Sequence, residues 1–183
     1  NESQTKEKIL FLRMIKELCC TLKDEKDAHR IFCMCMKVYL NTSSRRLISE
    51  LALCRRGGYI YTIPHFNSVL NYFNDSTLKS VLKYLIELSA LPVAQLERKF
   101  AVDSSGISLH QYETWKTART NFSEHRKYKK VHIICGVLSN IVASCMITKG
   151  NEADSPQFKT LLNNILQNYT IEEVSADLAY SSK

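Results

Sequence analysis

Apolar residues recur at three- and four-residue spacings through the first half of the chain, the period of an amphipathic helix. Ile9, Leu10, Leu12, Met14, Ile15 and Leu18 predict one helix over about 6–22, and Ile31, Phe32, Met34, Cys35, Val38 and Tyr39 a second over about 27–40. Ser44 offers a cap for a third through Leu47, Ile48, Leu51, Ala52 and Cys54, which stops at Gly57-Gly58. Pro64 suits the first turn of a fourth, with Phe66, Val69, Leu70, Tyr72 and Phe73, and Asp75 or Ser76 caps a fifth from Leu78 to Leu88. Pro92 interrupts or starts the next short helix.

After Glu97-Arg98-Lys99 the period falls to two. Phe100-Ala101-Val102 and Ile107-Ser108-Leu109 read as strands around a turn at Asp103–Gly106, with Gly106 supplying a backbone angle denied to other residues. Val131, Ile133 and Cys135 alternate with Lys130, His132 and Ile134, then Ser139-Asn140 turns the chain into Ile141–Ile147 as a returning strand. Ser155-Pro156 opens a helix carrying Phe158, Leu161, Leu162, Ile165 and Leu166, and Val174-Ser175-Ala176 is a last short strand. The expected architecture is therefore α+β / α/β, with a helical region over 1–98 and a mixed sheet with an intervening helix over 99–183.

At 183 residues, 45% hydrophobic and with five Gly and three Pro, the chain is expected to fold as one sizeable domain or two small ones. No apolar run reaches membrane-spanning length and the polar start is unlike a signal peptide, so a cytoplasmic, nucleoid-associated protein is expected. The absence of an initiating Met suggests a trimmed chain or a fragment. Seven Cys, an odd number set in helical apolar surroundings, suit a reducing compartment. Cys19, Cys20, Cys33, Cys35 and Cys54 lack a Cys-x2-Cys knuckle, and adjacent or i,i+2 cysteines diverge on a helix; buried thiols acting as small hydrophobes are the better reading than zinc.

The net charge of +7 is modest, so its distribution matters more than its sum. Lys116, Arg119, Arg126, Lys127, Lys129 and Lys130 face only Glu124, and Trp115, Phe122 and Tyr128 are interleaved with them. Such a segment offers phosphate partners and stacking surfaces to DNA, or is a solvated connection whose aromatics enter the core. Arg45, Arg46, Arg55 and Arg56 flank a helical pair around Gly57-Gly58, which reads either as a helix-turn-helix or as plain helical packing.

Two acids end apolar runs: Asp103 after Phe100-Ala101-Val102 and Asp177 after Val174-Ser175-Ala176. A helix returning the chain across the sheet permits the last strand to pair parallel with the first, which brings both carboxylates to corresponding strand ends. Oxygen ligands so placed suit Mg2+ or Mn2+. Asp154, just before a helix, is expected to cap it or order the loop, and His132 is given no general-base role. Gly-rich phosphate loops, Ser-His-Asp patterns and nucleophile elbows are missing from the sequence, which disfavours covalent nucleophilic catalysis.

Four stretches in order, Phe100-Ala-Val-Asp103-Ser-Ser-Gly106, Lys129-Lys-Val-His132, Thr148-Lys-Gly-Asn-Glu-Ala-Asp154-Ser-Pro-Gln-Phe158 and Glu173-Val-Ser-Ala-Asp177-Leu-Ala-Tyr180-Ser-Ser, carry a family likeness. The second half resembles the catalytic core of the IS4/IS5-like DDE transposases of bacteria and archaea, a core with the ribonuclease-H-like fold. Ser44-Arg-Arg and Pro64–Pro92 are similar to the helical region before that core in one subgroup, so the resemblance covers about 45–183. It implies that Asp103 and Asp177 are the first two catalytic, metal-binding carboxylates, that the third, a Glu, lies beyond Lys183, and that the fold is a partial ribonuclease-H-like sheet. Leu178 stands where the pattern has a basic or small residue.

The implied activity is DNA end binding with metal-dependent phosphodiester cleavage and strand transfer, using Mg2+ or Mn2+ and no small-molecule organic cofactor. Two metal ions are normally held by more than two carboxylates, so weak metal binding and little turnover are expected of this chain alone. The implied partners are double-stranded DNA ends of a mobile element and a second copy in a homodimer, with no membrane. The alternative is a catalytically inactive DNA-binding or assembly protein derived from a truncated transposase.

Overall fold

The computed structural model describes residues 2–108 and 128–180, and two compact units divide the chain at Leu85/Ile86.

The first unit is helical. After a single turn, α1 (Glu2–Thr5), α2 (Glu7–Cys20) buries Leu12, Ile15 and Cys19, one stripe at the predicted spacing. In α3 (Glu25–Leu40), the Asp24 carboxylate accepts from the amides of Lys26 and Asp27 at 2.7 and 3.2 Å, satisfying donors that the first helical turn leaves free. Ile31, Phe32, Cys33, Met34 and Met36 are its buried residues, and Asn41 ends it in the left-handed conformation at φ 43°. Three residues later α4 (Ser44–Arg56) begins; its cap is Ser43, not Ser44, with the hydroxyl 3.3 Å from the Arg46 amide.

Gly57-Gly58 closes α4 as expected, but α5 (Phe66–Tyr72) starts only after residues 57–65 and is preceded by His65, so Pro64 lies outside it. That connection is longer than the short turn of a helix-turn-helix, and the tight link in this unit is instead α3 to α4 through Asn41. α6 (Leu78–Ala90) follows Asp75, which accepts from the Thr77 amide and hydroxyl, and Leu91–Val93 form a 3-10 turn around Pro92. Cys19, Cys33 and Cys54 are buried, Cys35 is half-buried and Cys20 is exposed. Burial pushes the Cys19 and Cys33 thiols up to about 12, aided by neighbouring thiols, which leaves them inert as nucleophiles.

The second unit is a mixed four-stranded sheet in the order β3-β2-β1-β4, consistent with a partial ribonuclease-H-like fold. β1 (Lys99–Ser108) pairs antiparallel with β2 (Tyr128–Gly136), and β2 with β3 (Val142–Lys149) through a turn in which Asn140 takes φ 57°. α7 (Ser155–Leu166) then carries the chain across the sheet, and β4 (Glu173–Ala176) pairs parallel with β1. The crossover helix is what a parallel return requires. Its Leu161 and Ile165 pack with Phe100, Val102, Ile134, Ala143, Tyr169 and Tyr180 in one core.

The turn expected at Asp103–Gly106 is absent. β1 runs unbroken to Ser108 because β2 is long enough to pair with it throughout, Ser104 against His132 and Gly106 against Lys130. Gly106 accordingly needs no left-handed angle; Gly58, at φ 76°, is the glycine that adopts one among the described residues.

Glu97 locks the hairpin. Its carboxylate, 2% exposed, accepts from the amides of Leu138 at 3.3 Å and of Ser139. Burial alone would raise its pKa, but these hydrogen bonds hold it below the usual carboxylate range.

Candidate metal centre

β1 and β4 run in register from Lys99↔Glu173 to Val102↔Ala176, and the next residue on each side is an aspartate. Asp103 and Asp177 are thus the residues that follow the last registered pair on each strand. Alternation along β1 puts Asp103 with Ala101 on the face away from the core residues Phe100 and Val102. Both aspartates are exposed. Each uses Oδ1 to accept from the amide of the following residue, Ser104 at 2.7 Å and Leu178 at 2.6 Å, and among the described residues Oδ2 of each makes no hydrogen bond. Carboxylate oxygens are the hard donors that a divalent cation of the Mg2+ type takes. Among the described residues no group of three or more His, Cys, Asp or Glu converges on one point.

Beneath this pair lies a buried polar network that the sequence reading did not assemble. Lys130 Nζ stands 2.6 Å from Asp154 Oδ1, and the Ser104 hydroxyl is 3.4 Å from Asp154 Oδ2. His132, fully buried, has Nδ1 at 3.0 Å from the Tyr180 hydroxyl and 3.7 Å from Asp154 Oδ1, with Nε2 at 2.9 Å from Thr148 Oγ1. Burial holds the imidazole below its ordinary pKa, although Asp154 works in the opposite direction. Burial likewise raises the Tyr180 phenol; a hydrogen bond with Ser104 lowers it, and the charges of Asp154, Asp103 and Asp177 add to the rise. The Tyr180 phenol thus feels all three carboxylates.

Asp154 corrects the capping expectation. It precedes α7 but its side chain makes no cap hydrogen bond, because the carboxylate is drawn inward by Lys130. Lys130 is correspondingly ion-paired and only a quarter exposed, whereas Lys129 is exposed. Lys116, Arg119, Arg126 and Lys127 lie outside the described residues. Arg45, Arg46, Arg55 and Arg56 are exposed at the two ends of α4, with the Arg45 guanidinium 4.7 Å from the Phe66 ring centroid. The signal for the network was present as the alternation that puts Lys130 and His132 on one strand face, and as Tyr180 three residues after Asp177.

Residues 94–183 match the family model of the transposase DDE domain. No curated protein and no solved structure matches the chain. The matched segment spans the whole sheet and both aspartates. No helix among the described residues is long and apolar enough to cross a membrane.

Proposed function

We propose that the second unit is the first part of an IS4/IS5-like transposase catalytic domain, in which Asp103 and Asp177 hold Mg2+ or Mn2+ for phosphodiester cleavage and strand transfer at DNA ends. The observation that supports this reading is the parallel register of β1 and β4, whose last pair, Val102↔Ala176, is followed by Asp103 on one strand and Asp177 on the other. When bound, divalent metal would lower the pKa of an attacking water or hydroxyl and stabilise the leaving oxygen. The chain's own part is to supply the two carboxylates on the open face of the sheet and to hold them there through β1 and β4. Two carboxylates make a weak site, so the third acid of a complete centre would come from sequence beyond the described residues.

The helical unit serves, in this proposal, as the DNA-binding or assembly domain, with Arg45, Arg46, Arg55 and Arg56 touching phosphates of double-stranded ends; the Lys116–Lys130 segment of the second unit touches phosphates as well, and two copies act together. A second reading is a protein that occupies DNA ends without cutting them. Mn2+ titration followed by electron paramagnetic resonance tests the metal centre. Weak saturable binding that Asp103→Asn and Asp177→Asn each abolish is the expected result; binding unchanged by both substitutions removes the metal-centre reading, and duplex affinity that survives it leaves the binding-only one.

A further inference from the structure

β4 is the short edge strand of the sheet, and among the described residues its side-chain ion pairs lie at its N-terminal end, Arg98–Glu172 at 2.9 Å just before the two strands and Lys99–Glu173 at 2.8 Å between them. These ion pairs are more than half exposed and contribute little to rigidity. Asp177 comes after the last registered pair, where a four-residue edge strand would fray. The chain then enters a 3-10 turn, Leu178–Tyr180, in which the Tyr180 amide donates to the Asp177 carbonyl at 2.9 Å. Leu178 and Ala179 are exposed, but Tyr180 is buried, its ring edge-on to His132 at 6.2 Å and tilted against Phe158 at 6.4 Å.

With Thr148 Oγ1 donating to the Lys149 carbonyl at 3.3 Å, the matching assignment has Nε2 as the N–H that Thr148 accepts. Neutral Nδ1 then accepts from the Tyr180 hydroxyl. This directional chain runs from Tyr180 on the 3-10 turn to β2 and on to β3, the two strands on the far side of β1 from Asp177.

We propose that His132 and Tyr180 are a positioning pair for the second carboxylate: the Tyr180 hydroxyl, held by Nδ1 of His132, pins the turn whose first carbonyl belongs to Asp177 and so keeps that carboxylate beside Asp103. The inference rests on the reading of Asp103 and Asp177 as metal ligands for its functional meaning, while the pinning itself stands on the bonds above. Neither residue touches metal or substrate.

Tyr180→Phe removes the hydroxyl and leaves the ring. In metal-free protein, the Tyr→Phe variant is expected to speed amide hydrogen exchange at residue 180 about tenfold, with exchange in the centres of β1 and β2 unchanged. Its Mn2+ dissociation constant is expected to rise about fivefold while the melting temperature moves by only a few degrees. His132→Asn, whose amide oxygen stands near the place of Nδ1, is expected to restore more of the slow exchange than His132→Leu. Unchanged exchange at residue 180 in Tyr180→Phe overturns the pinning, whatever metal does. Faster exchange with an unchanged Mn2+ affinity overturns the positioning role while Asp103→Asn still decides the metal reading, and exchange raised uniformly across the sheet reduces the pair to ordinary structural support.

Discussion

Lys130 Nζ lies 2.6 Å from Asp154 Oδ1, joining β2 to the start of α7 across the polar side of the core. Asp154 is 9% exposed and also faces His132 and Ser104, so its charge depends on Lys130 for compensation. Lys130→Met strands a nearly buried carboxylate and is expected to destabilise the second unit by about 3 kcal/mol. Asp154→Asn leaves a polar group that still accepts, and is expected to cost less than half as much. Urea unfolding of the two variants checks the order; equal losses would mean that the pair is solvated in solution.

His132 gives stability a defined pH dependence. Its pKa in the folded protein is lowered by burial, with Asp154 and Glu152 opposing and Lys130 assisting, so the unfolded chain binds the proton more readily. The neutral ring's contribution is fully present above the unfolded histidine value of about 6.5 and is lost as the pH falls below it towards the folded pKa. His29 in the helical unit is lowered by burial as well and acts in the same direction there. Amide exchange in β2 and β3, followed between pH 8 and pH 5, isolates the sheet; the expected acid loosening should be much reduced in His132→Asn.

The sequence made the order of elements legible because each rests on a local signal: period-four stripes such as Leu47, Leu51 and Cys54, and period-two alternation from Lys130 to Cys135. The parallel return of β4 followed from the intervening helix. The length of β1 was not legible, since Ser104-Ser105-Gly106 has turn-like composition and becomes strand only because β2 pairs with it. The role of Asp154 was hidden for a related reason. Its position before Pro156 is that of a cap, and its attraction to Lys130 is a tertiary event between residues far apart in the chain. The Tyr180–His132 bond is of the same kind.

Gly136 is held to glycine by Glu97. A Cβ at Gly136 would stand 2.7 Å from Glu97 Cγ and Oε1, closer than van der Waals contact permits. Gly136→Ala is therefore expected to destabilise the hairpin by about 2 kcal/mol. In a Glu97→Ala background the same change should cost markedly less, giving a coupling of about 1 kcal/mol in a double-mutant cycle. Additive losses would place the strain in the backbone of residue 136 instead.

DNA binding separates the exposed cations from the one that is committed elsewhere. Arg55 and Arg56 end α4 in solvent, and Lys129 is exposed on β2, whereas Lys130 is ion-paired inside. If the exposed set neutralises phosphates, each of Arg55→Gln, Arg56→Gln and Lys129→Gln should lower the slope of log affinity against log salt by about 1. The same reasoning from sequence extends to Arg126 and Lys127. Lys130→Gln should instead leave the slope in place and reduce thermal stability, because Lys130 belongs to Asp154. Fluorescence anisotropy of a labelled duplex between about 50 and 200 mM salt reads these slopes directly. Unchanged slopes in all the exposed variants would remove these residues from the DNA interface, and a slope lost on Lys130→Gln with stability intact would mean that the ion pair opens to bind phosphate.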